Sequence, residues 1–257
     1  MTDVLVCVKR VPDSSSEVVL TEDAQAVDGR FAGFTTSPHE ECAVELAVQV
    51  TAATGGEATV LSLGDADAVE QLRSALAVGA TAATLVLADP AGFGPADVAR
   101  EIAAVVRAHE AEGRSHDLVL LGNDAADSGD FQVGIRLAYE LRRPVVNGAK
   151  VLSVADGEVT ARVEGPDGVE TYRVPLPAIV TIREGGVEPR YPSVPGRMKA
   201  KKVVVEERTS SAEPSGPKRV RLTLPPPVPS NVQLLGEGAA AAPAVVDVLE
   251  ELGVLAR

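Results

Sequence analysis

Short apolar runs alternate with stretches of helical periodicity up to Leu141. The runs that fit buried strands are Val4–Val8, Thr59–Leu63, Thr84–Leu87 and Asp117–Leu121. Apolar residues that recur every three to four positions predict helices over residues 37–50, 66–78, 95–109 and 131–141. Four alternations of strand and helix predict a doubly wound, mostly parallel α/β sheet with right-handed crossovers.

After Pro144 the helical pattern ends, and hydrophobic and polar residues alternate with a period of two. Residues 150–154, 159–163 and 168–174 alternate around turn sequences at Asp156-Gly157 and at residues 166–168, which predicts added antiparallel hairpin strands. Residues 177–182 predict one more buried strand. Residues 17–34 alternate weakly around Asp28-Gly29, so we expect a small excursion of short strands there.

Prolines interrupt the remainder of the chain. Residues 188–196 are too proline-rich for the interior of a helix or sheet, and positive charge concentrates in residues 197–202. The segment from Thr209 to Ser230, with Pro225-Pro226-Pro227, predicts an extended arm. The arm ends in an apolar helical stripe, residues 242–255, which needs a surface to cover it, and another subunit is the nearest candidate. We therefore expect a nucleotide-binding α/β domain over residues 1–208 and an arm over residues 209–257.

Composition limits the classes of partner. A formal net charge of -13 argues against nucleic-acid and anionic-membrane partners, which would be repelled. The two cysteines make no disulfide framework, and Cys7 is expected to be a small core residue. Without a signal peptide or an apolar run of membrane-spanning length, we expect a cytoplasmic protein. Aromatic residues are only 3 % of the sequence and Trp is absent, so this chain alone has few side chains that could stack on a flavin.

The strongest candidate binding site lies between the fourth predicted strand and helix. Gly122 ends the strand abruptly, and small and polar residues follow, with possible helix N-caps at Asp127, Ser128 and Asp130. The unpaired N–H groups of the helix would face the carboxyl end of a buried strand, where open α/β sheets bind phosphate. The alternative is an ordinary connection, for which about two to six residues suffice. Because this loop is longer and rich in Asp, we favour ligand binding.

Other chemistry is sparse. Lys9 and Arg10 follow the first strand, either as solvated loop charges or beside a phosphate or a partner's carboxylate, and the spacing does not decide between the two. The sequence has no dinucleotide-binding glycine fingerprint, no GxxxxGK[ST], no HExxH, no CxxC and no Ser/His/Asp or Cys/His arrangement. The histidines, His39, His109 and His116, lie far apart in sequence, so we expect surface or helix-end positions. Catalytic residues are not expected.

Several segments together resemble the β subunit of electron-transfer flavoproteins. They are Val8–Asp13, Ser37-Pro38 with Glu41–Ala47, Ala75–Ala80, Gly122–Gly134, Leu176–Thr181, Glu188–Ser193 and Met198–Lys202. The resemblance covers nearly the whole chain. It implies an adenine-nucleotide α-hydrolase-like fold that buries a structural AMP, and an α subunit that carries the redox-active FAD.

The resemblance also implies which residues hold the nucleotide. They are Cys7, Ser37, Pro38, His39, Glu40, Leu63, Asn123, Asp124, Ala125, Ala126, Asp127, Ser128, Gly129, Asp130, Phe131, Gln132, Val133 and Gly134. A partner-recognition loop is implied at Tyr191, Pro192, Ser193, Val194, Pro195 and Gly196, with Val194 as the aliphatic anchor that docks on acyl-CoA dehydrogenases. The sequence departs from the family at Ala126, where Ile is frequent, and at Phe131, close to where Asn or Thr is frequent.

The implied function is electron transfer without catalytic residues in this chain. An αβ heterodimer would accept electrons from dehydrogenases, as in fatty acid oxidation, on the α-subunit FAD, and pass them to a quinone-linked oxidoreductase or another acceptor. One alternative is a bifurcating-type subunit with a second FAD in place of AMP. Another is a nucleotide-sensing protein of the universal-stress-protein type, which would be a colourless homo-oligomer. An ATP-pyrophosphatase-type enzyme is disfavoured because no SGGxDS-like loop follows the first strand.

Overall fold

The computed structural model describes residues 1–13, 15, 18–216, 220–226 and 232–255. The chain divides into two compact units, Met1–Leu222 and Thr223–Arg257. The strands are β1 (Val4–Cys7), β2 (Val11–Pro12), β3 (Phe34–Thr35), β4 (Ala58–Gly64), β5 (Ala82–Leu87), β6 (Leu118–Gly122), β7 (Val145–Ala155), β8 (Glu158–Gly165), β9 (Gly168–Pro175), β10 (Ala178–Ile182) and β11 (Val205–Thr209). The helices are α1 (Pro38–Thr54), α2 (Val69–Val78), α3 (Pro95–Ala111), α4 (Val133–Leu141), α5 (Val194–Ala200) and α6 (Ala242–Glu251).

The first unit is organised around a nine-stranded sheet with the order β11-β5-β4-β1-β6-β10-β7-β8-β9. Neighbours from β11 to β7 are parallel, and β7, β8 and β9 are antiparallel. From β1 the chain moves outward through β4 and β5, then returns to place β6 on the other side of β1. The predicted fold class is confirmed. The reversal between β1 and β6 is a topological switch point, which is where such sheets bind ligands.

Helices cover both faces of the central strands. Val4 and Val6 of β1 join a core with α1 and α2, while Leu5 and Cys7 join a second core with α3 and α4. Successive strand residues point to opposite faces, so a strand covered on both sides must be apolar throughout. This explains why β1 appears in the sequence as a continuous apolar run.

The added hairpins have the predicted turns. Asp156 and Gly157, which join β7 to β8, have φ of 52° and 76°, as a two-residue type I′ turn requires. The predicted excursion near Asp28-Gly29 is present as the antiparallel pair β2–β3 and a bridge between Leu20 and Val27. Strand β7 begins earlier than the alternation indicated, because its first residues pair in parallel with β10.

Two predicted boundaries are wrong. Residues 188–196 were expected to exclude helix, yet α5 begins at Val194, because Pro195 lies in the first turn, where its missing N–H is not needed. The Ser193 hydroxyl accepts a hydrogen bond from the Gly196 N–H at 3.1 Å. Helix α4 begins at Val133 and not at Asp127, Ser128, Asp130 or Phe131, because Gly129 and Phe131 are left-handed, with φ of 59° and 55°.

Strand β11 was not predicted. It pairs with β5 at the sheet edge, and the following segment lies along α3, where Glu101 accepts hydrogen bonds from Ser211 and Asp97 accepts them from Ser215 and Gly216. The first unit therefore extends past residue 208 to Leu222. Residues 217–219, 227–231 and 256–257 of the expected arm, including Pro227, lie outside the described residues.

The second unit contains the expected terminal helix. Helix α6 follows a single 3-10 turn at Gly238–Ala241, and Val245 and Val246 on it are exposed, as is Leu252 just after it. Across both units, the part of the chain that the structure describes has no helix with the length and apolarity needed to cross a bilayer.

Candidate functional site

A cavity opens at the switch point, at the carboxyl ends of β1, β4 and β6. Its walls are the start of α3 on one side and the loop between β6 and α4, here called the β6–α4 loop (Asn123–Gln132), on the other. The site residues expected from sequence that line it are Cys7, Glu40, Leu63, Asn123, Asp124, Ala125, Ser128, Asp130, Phe131, Gln132 and Val133. The structure thus brings together residues from four separate segments of the sequence.

The other expected site residues do not line the cavity. They are Ser37, Pro38, His39, Ala126, Asp127, Gly129 and Gly134. Some of them hold the β6–α4 loop in place. The Ser37 hydroxyl accepts a hydrogen bond from the Ala126 N–H at 3.0 Å, and His39 Nδ1 lies 2.8 Å from Asp124 Oδ1. The start of α1 therefore supports the loop from outside the cavity.

Lys9 lies in the cavity wall and connects two loops. Its Nζ is 2.7 Å from Asp127 Oδ1 in the β6–α4 loop. Among the described residues that line the cavity, Lys9 is the only cation. Arg10 does not line it, since its guanidinium stacks over the Phe34 ring at 4.0 Å. Of the two charges after β1, only Lys9 can contact a ligand in the cavity.

Asn123 is fixed at the start of the β6–α4 loop. Its N–H donates to the Ile182 carbonyl at 2.8 Å, and its Oδ1 lies 2.8 Å from the Thr181 hydroxyl. With the oxygen held in this way, the amide NH₂ is the group left to donate to a ligand. Thr181 also explains Gly134, because a Cβ at Gly134 would lie 2.3 Å from Thr181 Cγ2. Close packing of α4 on β10 therefore requires glycine.

Helix α4 directs its amino end at the cavity. Val133, its first residue, lines the cavity, and the first N–H groups of a helix have no acceptor within the helix. Those groups and the helix dipole favour an anion at this end. The left-handed Gly129 and Phe131 delay the start of α4 and leave the preceding backbone to form the cavity wall.

Glu40 is a buried carboxyl group in the cavity wall, only 6 % exposed. Burial raises its pKa to about 8, against the opposing effect of hydrogen bonds from the Lys9 and Ser37 N–H groups and of the Lys9 charge. At pH 7 the neutral form therefore predominates. Burial also raises the pKa of the Cys7 thiol, so this cysteine is not a ready nucleophile.

The sequence analysis missed the apolar wall of the cavity. It consists of Leu61 in the middle of β4 and of Pro90, Phe93, Pro95, Val98 and Ile102 in and before α3. Chain order alone does not reveal this wall, because the wall depends on which face of the sheet α3 covers. An apolar wall opposite a polar loop and a helix amino end suits a ligand with a flat apolar part and an anionic part.

Two histidines form a buried pair away from the cavity. His109 Nδ1 and His116 Nε2 are 2.9 Å apart, and His109 Nε2 is 3.3 Å from Glu206 Oε2. His109 lies at the end of α3, which is one of the two kinds of position expected for the histidines. The expectation is wrong for His116, which is buried outside any helix because chain folding after α3 brings the two rings together in the interior. Burial lowers both pKa values, that of His116 to about 4. In the described ranges, no three His, Cys, Asp or Glu side chains are grouped to hold a metal ion.

The expected recognition loop lies on the surface. The ion pair of Arg190 with Glu45 of α1, at 2.6 Å, anchors the chain just before it. Beyond that anchor Tyr191 is 93 % exposed and Val194 is 73 % exposed, and Met198 on α5 is exposed as well. Apolar side chains are therefore presented to solvent on a segment that is fixed at its base.

Comparison with known proteins gives one consistent result. The electron transfer flavoprotein domain matches residues 31–213. An electron transfer flavoprotein subunit beta of Syntrophomonas wolfei is 34 % identical over 91 % of this chain and 90 % of its own length. The subunit of the same name from Bacillus subtilis is 34 % identical over 96 % and 97 %, and that from Mycobacterium tuberculosis is 36 % identical over 79 % and 77 %.

Proposed function

Because the chain belongs to the electron transfer flavoprotein family, as a β subunit, we propose that it pairs with an α subunit in an electron-carrying heterodimer. The α subunit holds most of the FAD, takes electrons from acyl-CoA or related dehydrogenases, and passes them to a quinone-linked oxidoreductase or another acceptor. The observation that carries this proposal is the family match over residues 31–213. A cytoplasmic location stays a prediction.

The second part of the proposal is that the switch-point cavity holds AMP. The wall that contains Leu61, Phe93 and Ile102 offers an apolar surface to the adenine ring. Lys9 and the amino end of α4 offer a cation and free N–H groups to the phosphate. The Asn123 amide and nearby carboxylates suit ribose hydroxyl groups. The residues present therefore fit a mononucleotide.

The role proposed for AMP is structural. The β6–α4 loop contacts the start of α1 through the Ser37–Ala126 hydrogen bond and the loop after β1 through the Lys9–Asp127 ion pair. A ligand between α3 and the β6–α4 loop would therefore add contacts on the open side of that loop. The Cys7 thiol in the cavity wall is held protonated by burial and is not a ready nucleophile.

Two surfaces are proposed to contact other proteins. The recognition segment Tyr191–Gly196 would dock on a dehydrogenase, with exposed Val194 as its anchor. Helix α6 would bury Val245 and Leu252 on the α subunit, because its apolar residues are exposed in the second unit.

Coexpression with the α subunit of the same organism tests the proposal. We expect a 1:1 heterodimer that is yellow after size-exclusion chromatography and that an acyl-CoA dehydrogenase reduces in the presence of its substrate. A colourless homo-oligomer that binds adenine nucleotide without the α subunit would contradict the proposal and would favour a nucleotide-sensing protein.

A further inference from the structure

Glu40 has a different environment from the other acidic residues around the cavity. Its side chain is buried, and Oε2 accepts a hydrogen bond from the Ser37 N–H at 3.3 Å. A Cβ on Gly122 would lie 2.7 Å from Glu40 Cγ, so the strand end packs directly on this side chain. The carboxyl group therefore lies between the start of α1, the end of β6 and the cavity.

The charges that face Glu40 come from three elements. Lys9 follows β1, and its Nζ forms an ion pair with Asp127 at 2.7 Å. The β6–α4 loop contributes Asp124, Asp127 and Asp130, and the charge of Asp127 acts on Glu40 in the direction that disfavours its ionisation. The third element is α1, on which His39 Nδ1 lies 2.8 Å from Asp124 Oδ1. Cys7, at the end of β1, adds no charge because its thiol stays protonated.

We propose that Glu40 is the residue that couples binding of an anionic nucleotide in the switch-point cavity to uptake of a proton. The inference rests on the proposed nucleotide function of the same cavity. A phosphate entering it meets one paired cation and several carboxylates, and an ionised Glu40 would add a further negative charge inside a buried wall. The neutral carboxyl removes that repulsion and offers an O–H donor to the ligand.

The consequence is a defined pH dependence. Nucleotide binds the form in which Glu40 is protonated, so affinity is constant below the pKa of free Glu40 and falls as pH rises through it. With that pKa at about 8, the dissociation constant of AMP should rise about tenfold between pH 7 and pH 9. Over this range the phosphate of AMP remains largely a dianion, because its second pKa is about 6.

Calorimetric titration of AMP into the exhaustively dialysed full-length chain at pH 7 and pH 9 tests the proposal. Wild type should show the tenfold change. Glu40→Gln should bind with dissociation constants that agree within about twofold at the two pH values, because the amide cannot ionise, and Gln can replace Glu at this position of the helix start. Glu41→Gln is the matched control, since Glu41 is the next residue of α1 and is exposed outside this cavity. It should keep the tenfold change.

Adenosine, which has no phosphate, separates charge repulsion from contacts to the base. Its dissociation constant should change less than about twofold between the two pH values. An equal change for adenosine and AMP, a tenfold change retained by Glu40→Gln, or AMP binding to wild type that is independent of pH would each overturn the inference and leave the nucleotide site standing. Absence of AMP binding at both pH values would overturn the proposed nucleotide function itself.

Discussion

Lys9 Nζ and Asp127 Oδ1 lie 2.7 Å apart, although 118 positions separate the two residues in the sequence. The pair joins the loop after β1 to the β6–α4 loop at the mouth of the cavity. Both side chains are partly shielded, with 33 % and 23 % exposed. The ion pair therefore places a cation where it also faces a ligand in the cavity.

Lys9→Gln should weaken AMP binding about tenfold, equivalent to about 1.4 kcal/mol, because the cavity loses its cation and keeps its carboxylates. Calorimetric titration at pH 7 measures the change. Lys150→Gln is the matched control, since Lys150 also makes a 2.7 Å ion pair, with Glu164 on the neighbouring strand, and is similarly shielded. Equal affinities for the two variants would show that Lys9 does not contact the nucleotide.

The buried histidine pair predicts a loss of stability in acid. Both pKa values are lowered in the folded chain, so the unfolded chain binds more protons as the pH falls below 6.5. Stability should be fully present above pH 6.5 and should decline towards pH 4. His116→Gln should reduce this decline by about 2 kcal/mol, because one of the two groups no longer titrates.

Urea unfolding at several pH values between 4 and 7 measures that slope. His39→Gln is the control, because His39 is partly exposed and lies beside Asp124 and not in the buried pair. It should keep the decline of wild type. An unchanged slope in His116→Gln would mean that the carboxylates alone produce the acid sensitivity.

Val194→Asp should slow reduction of the heterodimer by an acyl-CoA dehydrogenase at least about tenfold, because the pocket on the partner would have to accept an unpaired carboxylate. The fold should tolerate the change, since Val194 is exposed and an acidic residue is favourable in the first turn of α5. Stopped-flow reduction by the dehydrogenase and by dithionite separates docking from flavin chemistry.

The control for that substitution is Val169→Asp, at an exposed valine on β9, the strand at the opposite edge of the sheet from β11. It should leave both rates unchanged. Equal slowing of Val194→Asp with both reductants, or a lowered melting temperature, would show that Val194 supports the structure and does not anchor a partner.

A chain ending at Leu222, where the first compact unit ends, should keep its melting temperature and lose at least about tenfold in affinity for the α subunit. The expectation follows from the exposed apolar residues of the second unit, Val245 and Leu252 among them. Thermal unfolding followed by circular dichroism measures the melting temperature, and calorimetric titration with the α subunit measures the affinity. Undiminished affinity would remove α6 from the interface.

Much of the fold could be predicted because its signals are local. The apolar run of β1 and the Ser37-Pro38 start of α1 depend on burial and capping, which neighbouring residues determine. Strand β11 could not be predicted in this way. Its charged Glu206 and Arg208 are accommodated by partners such as Arg114 and Glu112, which lie far away in the sequence.

Part of the candidate site could also be predicted from local signals. Residues that follow strands β1, β4 and β6 were recognised because chain order shows where a strand ends. The wall formed by Phe93 and Ile102 depends on which face of the sheet α3 covers, and the approach of Lys9 to Asp127 depends on strand order. Neither property is visible in hydrophobic periodicity, because both are set by tertiary packing.

Quantifying every nucleotide released from the purified heterodimer by acid tests the central claim most directly. The claim is that the cavity between α3 and the β6–α4 loop holds AMP while the flavin belongs mainly to the α subunit. Chromatography with mass detection should find one AMP and one FAD per heterodimer. Two FAD and no AMP would assign the cavity to a second flavin, and one FAD with no other nucleotide would contradict the assignment of a nucleotide site to this chain.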